Sequence, residues 1–476
     1  MSVAISSTVN ICFMHESFEL LRKSFLTTQI PSVKERTDGL KRLRKNIIIC
    51  QQELLDAFTQ DFKKSSFEVD ASEILICLRE INNTLKNLKY WTQDKKVNTD
   101  ILLFGTSNYI RVEPKGVVLI ISPWNYPFLL ALLPLISAYS AGNKIIVKPS
   151  EYSPAVSQVI QKIISLSFKT NEVICILGGS DTGNELVSMP FNHIFFTGSK
   201  KVATKILNSA AKNLTSVTLE LGGKSPAIID DDFSLKLAVE RIAHAKILNA
   251  GQTCIAPDFV LIHHSKLTEF VRLWKEKLTE WFGSNMTDHP DYCGIIHQNH
   301  FSRMLQMVDK SISEGALLSE KLEFNTKNLK IKPALLLNSK FSHESMKEEI
   351  FGPILPIITY ENIETEIPFL QAMDRPLSLY IFSHRKLFIN NLLNRLRSGG
   401  VTINNCLINF CEISLPFGGD HQSGTGFTHG YFGFMEFIHQ RAVSKQGFLP
   451  STLKLFYPPY TFLKSKLLRI LIKYFS

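Results

Sequence analysis

Cys254 is the residue of this chain whose surroundings most favour chemistry, because it lies in the stretch LNAGQTCIAPD among small and polar residues. Structural cysteines usually lie inside apolar runs. A thiolate is a nucleophile, but at the ordinary pKa of about 8.5 only a few per cent of a thiol is ionised near neutrality. A catalytic thiol in this position therefore needs local help, and the competing interpretation is a structural cysteine.

The chain before Cys254 alternates between strands and helices. Residues 15 to 94 carry Lys, Arg, Glu and Leu at helical spacing, which predicts several helices. The apolar run Gly116 to Ile121 predicts a buried strand, and Ser153 with Pro154 predicts the start of a helix that runs to about Leu166. Together with strands in KIIVKPSE, EVICILGG and HIFFTGS, this pattern predicts a doubly wound α/β domain with a mostly parallel sheet.

A second α/β unit begins near residue 225 with a strand in SPAIIDD. Ser234 is a candidate cap for a helix with four residues on one face: Leu235, Ala238, Val239 and Ile242. The helical pattern ends at Asn249 to Gly251, so Cys254 falls on the loop before the strand in FVLIHH. Catalytic residues are common on such loops.

Composition limits the class of protein. The chain has 476 residues, 45% hydrophobic and 20% charged, which is ordinary for a large soluble protein of two or three domains. Its net charge of +10 suits an anionic cofactor or a membrane surface; no nucleic-acid motif accompanies it, so we expect no nucleic acid partner. The eight cysteines form no CxxC pair or His/Cys cluster, which argues against a metal site and against disulfides.

The cysteine usage and the N-terminus favour a reducing cytoplasm. His15 and Glu16 interrupt the mildly apolar start of the chain, so we predict no signal peptide.

A set of short motifs points to a known family. They follow one another along the chain as PWNYP, KPSE, FTGS, LELGGKSP, GQTCIAPD, EEIFGP and LPFGG. In order and spacing the chain resembles the aldehyde dehydrogenase superfamily from roughly Phe18 to Tyr460. GQTCIAPD, RPLSLYIFS and the short chain beyond FIHQRA are similar to its class 3 branch, which includes fatty and aromatic aldehyde dehydrogenases.

The resemblance implies a division of the chain into a cofactor domain, a catalytic domain and a small bridging element. The expected boundaries are residues 1–94 and 116–219 for the NAD(P)-binding domain, 220–415 for the catalytic α/β domain, 95–115 and 416–450 for the bridging and oligomerisation element, and 451–476 for a basic tail.

The resemblance also assigns the reacting groups. Cys254 would attack the aldehyde, the amide of Asn125 would donate to the resulting oxyanion, and Glu220 would activate the water that hydrolyses a thioester. The alternatives are a helix cap for Asn125, ahead of the helix beginning at Pro127, and a strand-edge charge without a role for Glu220.

Cofactor binding does not follow the common GxGxxG pattern, and we interpret GGSDTG at residues 178–183 as a polar loop. The resemblance implies instead that NAD, with NADP as a second candidate, is bound by six residues: Lys148 and Glu151 on the adenosine ribose, Gly198 and Ser199 at the helix leading to the pyrophosphate, and Glu349 and Phe351 at the nicotinamide. The alternative for Lys148 is a solvated lysine at a strand end.

Two departures from class 3 bear on cofactor and substrate. Lys201 and Ala203 stand where relatives usually have glycines, and the positive charge of Lys200 and Lys201 near the phosphates would admit NADP beside NAD. Asp420 and His421 stand where relatives usually have a small or apolar residue and a glycine, in a segment expected near the substrate mouth. Because the three reacting groups are intact, we expect activity to be retained.

The tail TFLKSKLLRILIKYFS predicts a basic amphipathic helix. At 16 residues with four positive charges it is too short and too charged to span a bilayer, which needs about 20 apolar residues. We expect it at an anionic membrane surface, on the cytoplasmic side; the alternative is packing on the protein or on a second subunit. Relatives are usually dimers, so we expect a homodimer.

The functional prediction is NAD(P)-dependent oxidation of medium or long-chain aliphatic or aromatic aldehydes to carboxylic acids, through a cysteine thiohemiacetal and thioester. One alternative is an acyl-CoA reductase, which CoA dependence would reveal; Glu220 argues against it because a water-activating base would drain the thioester. The other is a catalytically weak, membrane-associated scaffold, which would bind cofactor without turnover.

Overall fold

The computed structural model describes residues 11–100, 103–448 and 452–475. The α-helices, in chain order, are α1 (Ile11–Thr27), α2 (Val33–Ile49), α3 (Gln51–Phe62), α4 (Ser66–Val69), α5 (Leu75–Trp91), α6 (Pro127–Ala141), α7 (Pro154–Ser167), α8 (Ser180–Ser188), α9 (Lys200–Ala210), α10 (Leu235–Ile247), α11 (Leu267–Phe282), α12 (Gln298–Ser313), α13 (Ile363–Ala372), α14 (Lys386–Arg395), α15 (Ile408–Cys411), α16 (Gly430–Glu436) and α17 (Phe462–Phe475). A π-helical segment, Asp70–Ile74, joins α4 to α5.

The strands, in chain order, are β1 (Lys95–Lys96), β2 (Thr106–Pro114), β3 (Val117–Ile121), β4 (Lys144–Lys148), β5 (Val173–Cys175), β6 (His193–Thr197), β7 (Ser216–Glu220), β8 (Pro226–Ile229), β9 (Phe259–His263), β10 (Leu317–Leu318), β11 (Phe324–Asn325), β12 (Lys330–Ile331), β13 (Ala334–Leu337), β14 (Ile354–Tyr360), β15 (Ser378–Phe382), β16 (Gly400–Ile403), β17 (Gly424–Thr425) and β18 (Ile438–Gln446).

The first large sheet has the strand order β17, β7, β6, β3, β4, β5 and is parallel except for the edge strand β17. Its register pairs Ile121 with Lys148, and Thr197 with Glu220. Lys148 and Glu220 therefore both lie at the carboxyl edge of the sheet, where doubly wound folds bind their ligands.

The second large sheet has the order β10, β13, β14, β9, β8, β15, β16, and its pairs are parallel except for β10 with β13. Together the two sheets confirm the predicted α/β fold with doubly wound, mostly parallel sheets. Their strands are buried on both faces by helices, as the continuous apolar runs in the sequence indicate.

A small antiparallel sheet of β1, β2 and β18 stands apart from the two large ones. Strands β1 and β2 pair antiparallel, with Lys95 opposite Ile110. Strand β18 runs along the whole of β2, from Ile438 opposite Pro114 to Gln446 opposite Thr106. The assignment of this sheet to a bridging element stays a prediction.

Local sequence signals account for most helix ends. Pro154 occupies the first turn of α7 after Ser153, as predicted, and α6 ends at Gly142, whose φ of 96° suits a left-handed cap. The interpretation of residues 178–183 as a polar loop was wrong in part, because α8 begins at Ser180. One face of α8 is buried through Thr182, Leu186 and Val187. Burial of this face stabilises the helix, although most residues of α8 are polar.

The predicted tail helix is present as α17. Its apolar side chains are exposed, including Phe462, Leu463, Leu467, Leu468, Ile470, Ile472 and Tyr474. Across the described ranges, no helix is both long and apolar enough to cross a membrane.

Candidate active site

The loop that carries Cys254 begins with an unusual backbone turn. After α10, Asn249, Ala250 and Gly251 all adopt positive φ, at 52°, 52° and 73°. A side chain at position 251 would lie 2.4 Å from the carbonyl oxygen of Gly352, so only glycine permits this approach. The turn therefore fixes the Cys254 loop against the segment that contains Gly352.

Buried amides hold the loop in place. The amide of Gln252 donates to the carbonyls of Asn249 (2.9 Å) and Gly294 (3.1 Å), and the amide of Asn249 donates to the carbonyls of Asn125 (2.8 Å) and Gln252 (3.0 Å). Beside them, the hydroxyls of Tyr126 and Thr253 are 2.9 Å apart. Because buried polar groups with satisfied hydrogen bonds specify one arrangement, this network positions Cys254.

Asn125 is part of this network and is not a helix cap. The cap position of α6 is Tyr126, which forms no side-chain cap bond, whereas the amide nitrogen of Asn125 donates to the Gln252 carbonyl at 3.0 Å. Asn125 is only 3% exposed. An amide nitrogen has two hydrogens, so the bond to Gln252 uses one of the two N–H groups of Asn125.

Glu220 ends β7 as a buried carboxylate without a partner. It is 5% exposed, and neither carboxylate oxygen has a hydrogen-bond partner among the described residues. Burial, and secondarily the charge of Glu436, raise its pKa well above the ordinary value. A strand-edge charge would point to solvent, so the burial of Glu220 argues against an idle role.

Cys254 and Glu220 lie within each other's electrostatic reach. Burial is the main cause that raises the pKa of the Cys254 thiol, followed by the charges of Glu349 and Glu220. The thiol is therefore protonated at rest, and its ionisation requires that a proton leave to a base or to water.

A cavity of about 710 Å³ opens onto Cys254. Its size lies in the range of small-molecule sites. The apolar side chains on its wall are Phe67, Ile76, Leu129, Leu130, Ile247, Leu248, Ile255, Phe282, Leu407, Ile408 and Phe410. Polar groups are fewer and include His244, Thr253 and Asn405. The cavity suits an apolar molecule with one polar end at the sulfur.

Glu349 is the second carboxylate near the thiol. A side chain added at Gly222 would lie 2.2 Å from its Oε2 atom, so the glycine makes room for it. Burial, with a further contribution from Asp258, raises the pKa of Glu349 to about 8. Asp258 also accepts from the backbone N–H of Ile350 at 3.0 Å and pairs with the buried ammonium of Lys224. The GGK, APD and EEIFGP motifs are thus joined by one buried ion pair.

Phe351 is held in a strained turn beside Trp124. Its φ is 53°, and its ring centroid lies 5.3 Å from that of Trp124. His300 donates to the Phe351 carbonyl at 2.7 Å, and Arg303 donates to the carbonyls of Glu349 and Ile350. These bonds from α12 offset the cost of the positive φ and fix the turn.

On the same carboxyl edge but at the other end of it, at strand β4, Lys148 and Glu151 form an ion pair. The ammonium nitrogen lies 2.8 Å from Oε2 of Glu151, and Lys148 is 4% exposed, so it is not a solvated strand-end lysine. Gly198 and Ser199 lead into α9, and the Ser199 side chain makes no cap bond. The first N–H groups of α9 are therefore available to an anion, which fits a dinucleotide pyrophosphate.

The departures from class 3 are accommodated locally. Ala203 is buried in an apolar cluster against the first sheet, and Lys201 is exposed in the first turn of α9. Asp420 accepts from Arg375 (3.0 Å) and Arg397 (2.9 Å). Neither Asp420 nor His421 is among the described residues that line the cavity at Cys254. The structure thus differs from the expectation of a place at the substrate mouth, because two arginines hold Asp420 at the domain surface.

Sequence reasoning missed the residues that support the site. Asn249, Gln252 and Asp258 stand in the quoted motifs, but their roles depend on contacts with distant segments, which only the fold brings near. No group of three or more His, Cys, Asp or Glu side chains placed to hold a metal occurs within the described ranges.

Comparison with known proteins adds a family. The model described as "Aldehyde dehydrogenase family" matches residues 20–443. The chain is 40% identical over 440 residues to 4,4'-diaponeurosporen-aldehyde dehydrogenase of Staphylococcus aureus, covering 92% of this chain and 94% of that protein. It is 39% identical over 445 residues to aldehyde dehydrogenase family 3 member A2 of Pongo abelii, covering 92% and 90%.

A solved structure of Staphylococcus aureus AldH in a substrate-bound state superposes with a TM-score of 0.92 at 38% identity, covering 96% of this chain and 99% of that chain.

Proposed function

The chain belongs to the aldehyde dehydrogenase family, and we propose that Cys254, Asn125 and Glu220 are the groups with which it carries out the reaction. Its activity is the NAD(P)-dependent oxidation of aldehydes. The observation that carries the proposal is the buried, unpartnered carboxylate of Glu220 within electrostatic reach of the Cys254 thiol.

In the first half of the reaction, the Cys254 thiol loses its proton to water or to a base, and its sulfur forms a bond to the aldehyde carbon. The carbonyl π bond breaks, and the oxygen becomes an oxyanion. The free N–H of the Asn125 amide and the backbone N–H of Cys254 donate to that oxygen. The loss of one such donor costs about 3 kcal/mol of transition-state stabilisation. NAD(P), when bound, supplies the hydride acceptor.

In the second half, Cys254 carries the acyl group as a thioester. Glu220 takes a proton from a water molecule while the oxygen of that water adds to the acyl carbon. The carbon–sulfur bond then breaks, which releases the carboxylic acid and regenerates the Cys254 thiolate. Glu220 meets the requirement because, among the residues that the structure describes, no donor bonds to either of its carboxylate oxygens. A carboxylate with a raised pKa is also a stronger base once ionised.

For the cofactor we propose that Lys148 and Glu151 hold the adenosine ribose hydroxyls. Gly198 and Ser199 present the N-terminus of α9 to the pyrophosphate, and Glu349 with Phe351 contacts the nicotinamide ribose and ring. The buried Lys148 ion pair and the space kept by Gly222 support this arrangement. Lys201 is exposed beside the same helix end, which favours acceptance of NADP as well as NAD.

The proposed substrates are medium or long-chain aliphatic or aromatic aldehydes. Support comes from the apolar wall of the 710 Å³ cavity and from a relative whose name gives 4,4'-diaponeurosporen-aldehyde as its substrate. A bound aldehyde would have its carbonyl carbon at Cys254 and its chain against the apolar wall of the cavity. Each added methylene would then bury more apolar area, which stabilises binding by about 0.8 kcal/mol per CH₂.

We further propose a cytoplasmic homodimer that meets an anionic membrane surface through α17. The exposed apolar side chains of α17, together with Lys466, Arg469 and Lys473, match an interfacial helix. Deletion of residues 461–476 should abolish partition onto anionic liposomes while aldehyde turnover in solution persists. Unchanged partition would exclude α17 as the contact.

The test of the function is NAD(P)H formation at 340 nm with aldehydes of increasing chain length. We expect kcat/KM to rise with chain length, and turnover to be independent of coenzyme A. Turnover that requires coenzyme A would indicate the reductive alternative. Cofactor binding with no turnover of any aldehyde would favour a scaffold.

A further inference from the structure

A second carboxylate, that of Glu436, contacts strand β7, which carries the proposed base Glu220. Glu436 ends α16, and the hydroxyl of Thr218 donates to its Oε2 atom at 2.7 Å. The backbone N–H of Phe427 donates to its other oxygen at 3.2 Å. Two donors from different segments thus fix the position of the Glu436 carboxylate.

The geometry of β7 relates Glu436 to Glu220. Thr218 and Glu220 are two residues apart on β7, so their side chains leave the same face, with about 7 Å between their Cα atoms. The strand β17 pairs with this part of β7, with Gly424 opposite Glu220. The hydrogen bond from Thr218 therefore holds Glu436 against the face from which Glu220 extends.

Gly426 makes this approach possible. Its φ is 83°, and a side chain there would lie 2.8 Å from Oε2 of Glu436 and 2.9 Å from Oγ1 of Thr218. Any larger residue would separate the two side chains. The close contact of Thr218, Gly426 and Glu436 is therefore a built feature of the segment after LPFGG.

We propose that Glu436 is a positioning residue for the reaction: its negative charge, held on the Glu220 face of β7, keeps a proton on Glu220 at rest and sets the pH at which Glu220 becomes a base. The proposal rests on the proposed role of Glu220. Like charges disfavour each other's ionisation, and the effect is strong where water is excluded. In agreement, burial is the main cause that raises the pKa of Glu220, and the charge of Glu436 is the second cause.

Other charged groups surround the Glu220 and Glu436 pair. On the reaction side, Cys254 experiences both Glu220 and Glu349. On the far side, Lys115 follows β2 within reach of Glu436; burial lowers its pKa, and Glu436 counteracts this. Lys115 lies 3.2 Å from the Nδ1 atom of His193, whose pKa is lowered by burial and by Lys115, so His193 adds no charge at neutral pH.

The test is the pH dependence of acyl-enzyme hydrolysis, followed as steady-state release of 4-nitrophenol from 4-nitrophenyl acetate after the acylation burst. In the wild type the rate should rise with pH as Glu220 ionises. Glu436→Gln keeps the size and an acceptor oxygen but removes the charge, so the midpoint should move to lower pH by about half to one unit. Glu436→Asp restores the charge and should return the midpoint towards the wild-type value.

Lys115→Met provides an independent variant with the opposite sign, because it removes the cation that offsets Glu436; its midpoint should move to higher pH. A lower rate at every pH with an unchanged midpoint in Glu436→Gln would show a purely structural role and overturn the proposal. If Glu436→Gln does not fold, an unchanged midpoint in Lys115→Met overturns it. Glu220→Gln separates the two proposals: if its hydrolysis keeps the same pH dependence, the role of Glu220 itself is wrong.

Discussion

The acidic side chains near Cys254 have different surroundings from Glu151. Glu151 lies beside Lys148 at the proposed adenosine site, here called the adenosine end of the sheet. Around Cys254, the Glu220 carboxylate is buried and has no hydrogen-bond partner among the described residues, and desolvation raises the pKa of the half-buried Glu349 to about 8. At the other end, the Nζ atom of Lys148 lies 2.8 Å from Oε2 of Glu151.

The difference shows what each region is built for. A buried acid without a partner is costly to the folded state, and its pKa rises because the charged form loses its hydration. Such an acid is poised to exchange a proton. A paired acid keeps its charge and offers fixed oxygens, which suits the recognition of hydroxyl groups. The surroundings of Glu220 and Glu151 thus agree with the proposed division between proton chemistry near Cys254 and cofactor binding at Lys148 and Glu151.

The comparison would break most visibly at the thiol. Cys254→Ala should lower aldehyde turnover by at least about 10³-fold, because the remaining groups have no nucleophile to assist. Cofactor binding, measured by fluorescence titration, should be retained. Cys411→Ala is the matched control, since Cys411 lines the same cavity; comparable losses in both variants would contradict the assignment.

Asn125→Ala should follow, with a loss of about 10²–10³-fold in kcat. Part of that loss has a structural origin, because Asn125 also donates to Gln252. Asn125→Asp keeps the size but not the donor. If kcat in Asn125→Asp equals that of the wild type while its thermal stability is unchanged, the oxyanion role is excluded.

At the adenosine end the effect should fall on binding alone. Glu151→Gln removes the charge of the pair but keeps an acceptor, and we expect KM for NAD to rise about 10-fold with kcat nearly unchanged. A drop in kcat at saturating NAD would mean that the two ends are not separate. Initial rates over a range of NAD concentrations distinguish these outcomes.

The smallest effect should come from Asp420, outside both regions. Because it forms partly exposed ion pairs with Arg375 and Arg397, Asp420→Asn should lower the free energy of unfolding by about 1 kcal/mol or less. The ratio of kcat/KM between long and short aldehydes should stay within about twofold, since Asp420 lies off the cavity wall. A change in that ratio would return this segment to the substrate mouth.

The parallel sheets could be predicted from the sequence because their strands are continuous apolar runs. The start of α7 could be predicted because Ser153 and Pro154 are local signals. It failed at α8, where polar residues outnumber the few that bury one face. For Asn125, local position alone favoured a cap, and only the fold shows that its amide reaches Gln252, 127 residues away.

Similarly, the sequence around Glu436 contains no signal for the proposed effect on Glu220. The two residues are far apart in the chain, and Glu436 reaches strand β7 through its hydrogen bond with Thr218. The motifs singled out Lys148 and Glu220, and the register of the first sheet places both residues at its carboxyl edge. They did not predict the burial or the charges around them, since both depend on contacts between segments distant in sequence.

The most direct test of the account is to trap the acyl-enzyme. Glu220→Gln, incubated with NAD and a medium-chain aldehyde, quenched in acid and digested, should yield the Cys254 peptide with the mass of the acyl group added, together with about one NADH per active site. Wild-type protein treated in the same way should show little adduct, because hydrolysis clears it. NADH formed without an adduct on Cys254, or continued turnover in Glu220→Gln at the wild-type rate, would contradict the proposed roles of the thiol and the base.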